Sequence, residues 1–186
     1  NRAIYSNSYI LIERRVVLQT FKMVLILLIT TILLSACNCG EDTVLFDDGS
    51  LNADARLEEI LVAITENNGD ELEKMFSKTA LSQANDFQEQ EENLFQLFQG
   101  TVESCERTGF TSPTSVENGE KVVQSVSWYD VVTDEMEYVF FTIECTEDTK
   151  EPDNIGLSTL TVVKKEEEDS KLTYWQDMQI PGIYLP

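Results

Sequence analysis

The sequence predicts an α+β domain in which helices come first and a curved antiparallel sheet follows. Apolar residues recur at helical spacing between residues 54 and 99, whereas after Gly100 they alternate with polar residues, as they do in strands with two different faces. Short segments rich in turn residues separate the alternating stretches. Because the helices precede the strands, they are expected to cover one face of the sheet in a single domain.

Apolar stripes and end signals predict three helices. The first spans residues 54–67, a short second starts at Asp70, and the third covers residues 83–99 and ends before Gly100. Each helix is expected to bury one apolar face. The faces consist of Leu57, Ile60, Leu61 and Ile64, then Leu72, Met75 and Phe76, then Phe87, Leu94, Phe95 and Phe98.

Alternation and turn residues predict five strands in the second half of the chain. They cover residues 101–107, 121–132, 136–146 and 156–165, with a partly regular fifth strand from 172 to 175. Residues 133–135 and 166–170 are expected to be hairpin turns. Pro181 and Pro186 cannot donate ladder hydrogen bonds, so the C-terminal tail is expected at an edge of the sheet or docked on it.

An apolar run at residues 24–34 has the features of a secretory signal. Cations precede it, two small residues follow it, and it is too short to span a membrane. The stretch Leu34-Ser35-Ala36-Cys37 resembles the bacterial lipobox, which implies that the Cys37 sulfur takes a diacylglyceryl group. The alternative is an ordinary signal peptide, or a core helix that ends in cysteine.

The lipobox interpretation divides the chain into three parts. Residues 1–36 are an upstream segment and signal peptide, residues 37–53 are a lipidated cysteine and flexible tether, and residues 54–186 are the domain. Several acyl chains on Cys37 would hold the protein at the extracytoplasmic face of a bacterial cell membrane.

Charge and composition exclude several classes of function. Without residues 1–36 the chain has 9 basic and 33 acidic residues, a net charge of −24, which repels the phosphates of nucleic acid. The chain contains no histidine, so it has neither the commonest general base nor a Ser/His or Cys/His nucleophile pair. The sequence therefore points to no catalytic residue, metal or cofactor.

The cysteines allow one disulfide within the predicted sheet. Cys105 and Cys145 each lie in a predicted strand and could pair in an exported protein, or be buried separately as small apolar side chains. Cys39 would be left in the tether as an odd thiol.

Several stretches of the domain resemble an uncharacterised family of Firmicute lipoproteins known only as a domain of unknown function. The overall layout also resembles the nuclear-transport-factor-two-like, or cystatin-like, cone. These resemblances imply a fold and a location but no reaction. The stretches are Asn68-Gly69-Asp70, Phe76-Ser77-Lys78, Phe98-Gln99-Gly100, Tyr129-Asp130-Val131-Val132-Thr133, Pro152-Asp153-Asn154-Ile155-Gly156-Leu157, Trp175 and Pro181-Gly182-Ile183-Tyr184-Leu185-Pro186.

Aromatic residues around one predicted hairpin form a candidate pocket. Trp128, Tyr129, Asp130 and Tyr138 could line it, and Asp with Tyr alone can support a small lyase, isomerase or hydrolase. The simpler interpretation is cross-strand packing. Tyr129 and Asp130 are neighbours, so in a regular strand they face opposite ways unless a bulge intervenes.

A second candidate site is an exposed aromatic patch formed by Trp175 and Tyr184, since such residues are favoured at interfaces. The leading hypothesis is a lipoprotein that binds a ligand or an envelope protein without catalysis.

Overall fold

The computed structural model describes residues 49–172 and 178–186. Four helices come first: α1 Ser50–Thr65, α2 Gly69–Met75, α3 Lys78–Gln83 and α4 Phe87–Leu97. The strands are β1 Val102–Thr111, β2 Thr114–Glu117, β3 Glu120–Thr133, β4 Glu137–Asp148, β5 Gly156–Lys164 and β6 Gly182–Tyr184. Short 3-10 helices lie at Pro152–Asn154 and Lys165–Glu167, and the second leads into α5, Glu168–Lys171.

The strands form one open sheet in the order β1-β3-β4-β5-β6, with β2 also paired to β3. All pairings are antiparallel except that of β5 with β6. The predicted α+β class is therefore confirmed. The tail forms the edge strand β6, directly after Pro181, as its prolines led us to expect.

The helices pack on one face of the sheet and form the larger core. Their apolar stripes contact large side chains of the three central strands, so the space between the layers is filled. The most deeply buried members are Leu57, Ile60, Leu72, Leu94, Tyr138, Phe140, Leu157 and Leu160.

The opposite face of the sheet contacts Leu172 and Met178, which follow β5 in the chain. Val126, Phe141 and Ile143 form a smaller cluster there with Met178, and Trp128 and Leu172 pack against it. The segment after β5 was predicted to be a hairpin turn followed by a fifth strand. Its first part is instead a 3-10 helix and α5, and residues 173–175 lie outside the described part of the chain.

Three details differ from the prediction. The first helix starts at Ser50 rather than residue 54. The short helix α3 was not predicted, and the helix expected at residues 83–99 is α4, which begins only after Asp86, a residue with a left-handed φ of 52°. β2 was not predicted, and the turn that joins it to β3 has two left-handed residues, Asn118 and Gly119.

Candidate functional site

The strand β3 separates the residues of the predicted pocket. Tyr129 belongs to the helix-facing core and is only 2% exposed, whereas Trp128 packs on Phe141 on the other face, with ring centroids 4.9 Å apart. Asp130 Oδ1 accepts a hydrogen bond from Lys165 Nζ at 2.9 Å. The four residues therefore do not converge, because alternation along β3 is regular at this point.

The two tyrosines of that pocket have structural roles. The Tyr138 hydroxyl donates to the carbonyl of Leu97 at 2.9 Å and accepts from the amide of Gln99 at 2.8 Å, and its ring stacks on Phe98. The Tyr129 hydroxyl donates to Asp54 Oδ1 at 3.0 Å. Burial raises the pKa of both phenols, which keeps them protonated near neutral pH and unsuited to act as bases.

Of the two alternatives for Cys105 and Cys145, the disulfide between them does not form. Cys145 is free and buried. Cys105 in β1 pairs with Val131 of β3, and Cys145 in β4 pairs with Gln124 of β3. Val131 and Gln124 are about 23 Å apart along β3, at roughly 3.3 Å per residue. A disulfide requires Cα atoms about 6 Å apart, so the two cysteines are too distant to pair. Burial raises the pKa of the Cys145 thiol, which keeps it protonated near neutral pH.

The remaining predicted sites are only partly within the described residues. Tyr184 lies in β6 opposite Thr161 and is half-buried, whereas Trp175 and Cys37 lie outside the described part of the chain. The aromatic patch and the lipidation site therefore stay predictions.

The structure shows a different candidate site, an open groove between α1 and α2. α1 ends where Asn67 takes a left-handed φ of 51°, and the Asn68 side chain caps α2 by accepting from the amide of Glu71 at 3.3 Å. α1 and α2 meet at this turn, and residues of both helices line a groove of about 580 Å³.

The groove is lined by apolar side chains, which we call its floor, and by charged side chains, which we call its rim. We call the whole the acidic groove. Its floor contains Val62, Ala63 and Met75, and Val62 is 54% exposed although it is a large apolar side chain. The rim has four glutamates and two cations: Glu58, Glu59, Glu66, Glu71, Arg56 and Lys74.

Both cations of the rim are neutralised within the protein. Arg56 pairs with Glu59 and, at 2.8 Å, with Glu144 on β4, and Lys74 pairs with Glu71 at 2.5 Å. The hydrogen bond and charge of Glu71 raise the pKa of Lys74. Because the cations are already paired with carboxylates, the groove presents a net negative charge to a ligand.

The negative charge continues beyond the turn between α1 and α2. A second concavity, of about 510 Å³, shares Glu66 and Asn68 with the groove and is lined also by Asp70, Glu73 and Glu91. Partial burial and the charges of Glu73 and Asp70 raise the pKa of Glu91, which reports the local crowding of carboxylates. This whole end of the helical layer therefore attracts cations.

The sequence pattern of α1 contained a signal for the groove that we did not use. Val62 is apolar but lies off the buried stripe of Leu57, Ile60, Leu61 and Ile64. A large apolar residue on the solvent side of an amphipathic helix marks a contact surface only when its neighbours also form a concavity, and that depends on where α2 packs.

The described residues contain neither a cluster that could hold a metal ion nor a helix that could span a membrane. No cluster of acidic or cysteine side chains within residues 49–172 and 178–186 has a metal-binding arrangement. In the same part of the chain no helix is both long and apolar enough to cross a membrane.

The stretches that carry the family resemblance have structural roles in turns and in contacts between the helices and the sheet. In the Pro-Asp-Asn stretch, the Asn154 amide donates to Asp148 at 2.8 Å, and Asp153 pairs with Lys78. The backbone contacts of Gly156 with the chain before α3 leave no room for a side chain, and Gly100 is similarly crowded by Thr133. These residues therefore fix turns and layer contacts and do not converge on a site.

Comparison with known proteins identifies the family of the chain but no function. The sequence profile of one family matches residues 59–165, more than half of the chain. No curated protein matches the chain. The chain belongs to the family described as domain of unknown function (DUF5104).

Proposed function

We propose that this chain is a lipid-anchored, extracytoplasmic bacterial lipoprotein whose acidic groove binds a cationic, amphipathic segment of an envelope protein. The observation that carries the proposal is the apolar part of the groove, with the exposed Val62, beside charged side chains of net negative charge. An apolar face alone would favour any hydrophobic partner, and a charged face alone any cation. The combination selects a segment with one apolar face flanked by lysine or arginine.

The net charge of the domain supports the same kind of partner. A charge of −24 on the chain after residue 36 steers cations toward the protein and keeps it from anionic lipid and nucleic acid. Binding without catalysis is favoured because Tyr129 and Tyr138 face the core whereas Asp130 is paired with Lys165 on the other face.

The location rests on the sequence. The lipobox-like stretch that ends at Cys37 supports lipidation there. The resemblance to Firmicute lipoproteins with a cystatin-like cone supports the same location, outside the cell membrane. Because a protein anchored there meets other proteins of the cell envelope, we expect its partner among them.

The lipid anchor predicts a clear labelling result. Full-length protein expressed in bacteria fed a clickable fatty acid should carry the label, and Cys37→Ala should lose it, because only the Cys37 sulfur lies at the lipobox position. Cys145→Ala is the matched control and should stay labelled, since Cys145 is buried in the sheet. Label that persists on Cys37→Ala would remove the anchor from the proposal.

The groove predicts which surface residue controls peptide binding. We expect a synthetic Lys/Leu peptide with one apolar face to bind full-length protein held in uncharged vesicles. Val62→Asn should weaken that binding about tenfold, because losing the burial of one valine costs roughly 1.5 kcal/mol. Fluorescence titration of the labelled peptide measures the change.

A matched variant and a matched peptide make this experiment specific. Val116 on β2 is even more exposed, at 67%, but lies outside the groove, so Val116→Asn should leave the affinity unchanged. A scrambled peptide of the same composition should bind more weakly than the amphipathic one. Equal losses for Val62→Asn and Val116→Asn would contradict the assignment of the groove.

A further inference from the structure

A second groove, separate from the acidic groove, lies beside α4. Residues of α4, the end of β5, the segment that follows β5 and the tail after β6 line a space of about 490 Å³. None of the described residues lines both grooves. Three side-chain amides of α4 belong to this space, those of Gln90, Asn93 and Gln96, and we call it the amide groove.

Lys164 gives the amide groove a positive charge that the protein does not neutralise. Among residues 49–172 and 178–186, eight of the nine lysines and arginines form ion pairs, and the half-buried Lys164 is the exception. The other charged side chains of the groove, Glu167 and Lys171, pair with each other at 3.0 Å. The amide groove therefore has a net positive charge within a strongly acidic domain, and it offers a place for one negative charge.

The sheet holds Lys164 at one end of the row of amides. Lys164 in β5 pairs with Tyr138 in β4, and the Tyr138 hydroxyl donates to the carbonyl of Leu97, the last residue of α4. The cation is therefore positioned toward the Gln96 end of the row rather than the Gln90 end. A ligand that lies along α4 would bring one of its ends to Lys164.

The three amides are available to such a ligand, because none of them forms a hydrogen bond within the described part of the chain. An Asn or Gln amide both donates and accepts, as a peptide backbone does. The row covers about 9 Å of a helix that rises roughly 1.5 Å per residue, which is the length of about three residues of extended peptide. Leu97, Val162 and Leu185 add an apolar surface to the same groove.

We infer that the amide groove binds a short extended peptide that ends in a carboxylate. Lys164 Nζ holds the carboxylate, the amides of α4 pair with the peptide backbone, and the apolar surface takes an apolar side chain. A carboxylate fits better than a phosphate, since one lysine balances one negative charge and the acidic domain repels a dianion. A peptide fits better than a sugar, since none of the described residues that line the groove offers an aromatic face to a sugar ring.

Titration with a dye-labelled tripeptide tests the inference. Full-length protein held in uncharged vesicles is titrated with dansyl-Ala-Ala-Leu, which carries either a free carboxylate or a C-terminal amide, and dansyl fluorescence reports binding. We expect the carboxylate form to bind at least tenfold more tightly, because amidation removes a hydrogen bond between charged groups. Equal affinities for the two forms, or no binding of either, would overturn the inference.

Two lysine variants separate the role of Lys164 from that of the net charge. Lys164→Gln should weaken binding of the carboxylate form about tenfold and leave the amide form unchanged, because it removes the charge but keeps a donor. Lys150→Gln removes the same charge at the Lys150–Glu120 pair, outside the groove, and should change neither affinity. Equal effects of the two variants would mean that Lys164 does not hold the carboxylate.

Two glutamine variants test the row of amides. Gln90→Ala should weaken both forms of the tripeptide about threefold, since it removes a hydrogen bond to the peptide backbone. Gln88→Ala, on the same helix but outside the groove, is the matched control and should have no effect. An unchanged affinity for Gln90→Ala would contradict the assignment of the backbone to α4.

Two further measurements fix the site and the class of ligand. Val62→Asn, in the acidic groove, should leave binding of the tripeptide unchanged, so this inference and the proposed function can fail separately. Unlabelled Ala-Ala-Leu should displace the dansyl peptide at lower concentrations than glucuronic acid, a sugar with one carboxylate. The reverse order would overturn the assignment of the ligand as a peptide.

Discussion

Gly156→Ala is expected to lower the free energy of unfolding by about 3 to 5 kcal/mol, since it combines backbone strain with a steric clash. Gly156 has a φ of 122°, a conformation that L residues rarely adopt. A Cβ atom there would lie 2.9 Å from the carbonyl oxygen of Met75 and 2.9 Å from the amide nitrogen of Ser77.

The surrounding backbone cannot easily move away from the new methyl group. The Ser77 amide donates to the carbonyl of Leu157 at 2.9 Å, and Phe76 forms a parallel bridge with Leu157. Any shift that relieves the clash therefore breaks the contact between the helical layer and β5. Urea denaturation followed by tryptophan fluorescence measures the loss of stability.

Gly119→Ala is the matched control for this prediction. Gly119 also has a left-handed φ, of 87°, but a Cβ atom there would meet nothing within 4 Å. Its substitution should cost only the strain, about 1 kcal/mol. If the two variants lost the same stability, the contact with residues 75–77 would not be the reason that position 156 needs glycine.

The sequence predicted those features of the fold that local patterns determine. The stripe of α1 from Leu57 to Ile64, the end of the helical layer at Gly100 and the alternation in β3 all reappear in the structure. Each depends on burial of one side of a single helix or strand, so its period is visible in the chain.

Features that depend on two elements at once could not be predicted in this way. Both cysteines were placed correctly in strands, but their pairing depends on the register and order of β1, β3 and β4. The helix expected from residue 83 begins only at Phe87, because Asp86 before it has a left-handed backbone, and the separate helix α3 was missed. Local periodicity does not record a single left-handed residue.

The candidate site illustrates the same limit. Alternation correctly indicated that Tyr129 and Asp130 face opposite ways, which is why the predicted pocket does not form. The acidic groove has no such pattern, because it exists only where the end of α1 meets α2. Its charge was visible in the composition, but its position was not.

Asp54→Leu is expected to lower the free energy of unfolding by about 2 to 4 kcal/mol, because it leaves a partly buried cation without its partner. Asp54 accepts hydrogen bonds from Arg107 at 2.5 Å and from the Tyr129 hydroxyl at 3.0 Å, and the side chains of the ion pair are only 17% and 22% exposed. The loss is a consequence of removing one partner, not a measure of what the intact pair contributes.

That distinction can be measured with a double variant. Asp54→Leu/Arg107→Met removes both charges and replaces them with apolar side chains of similar size, so it should recover at least half of the loss. Lys78→Met, at the exposed Lys78–Asp153 pair, is the control and should change stability by less than about 1 kcal/mol. If the double variant were as unstable as Asp54→Leu alone, the unpaired Arg107 charge would not be the cause. The contribution of Asp54 to the free energy of unfolding would then come from its hydrogen bond with Tyr129. That hydrogen bond joins the N-terminal part of α1 to strand β3.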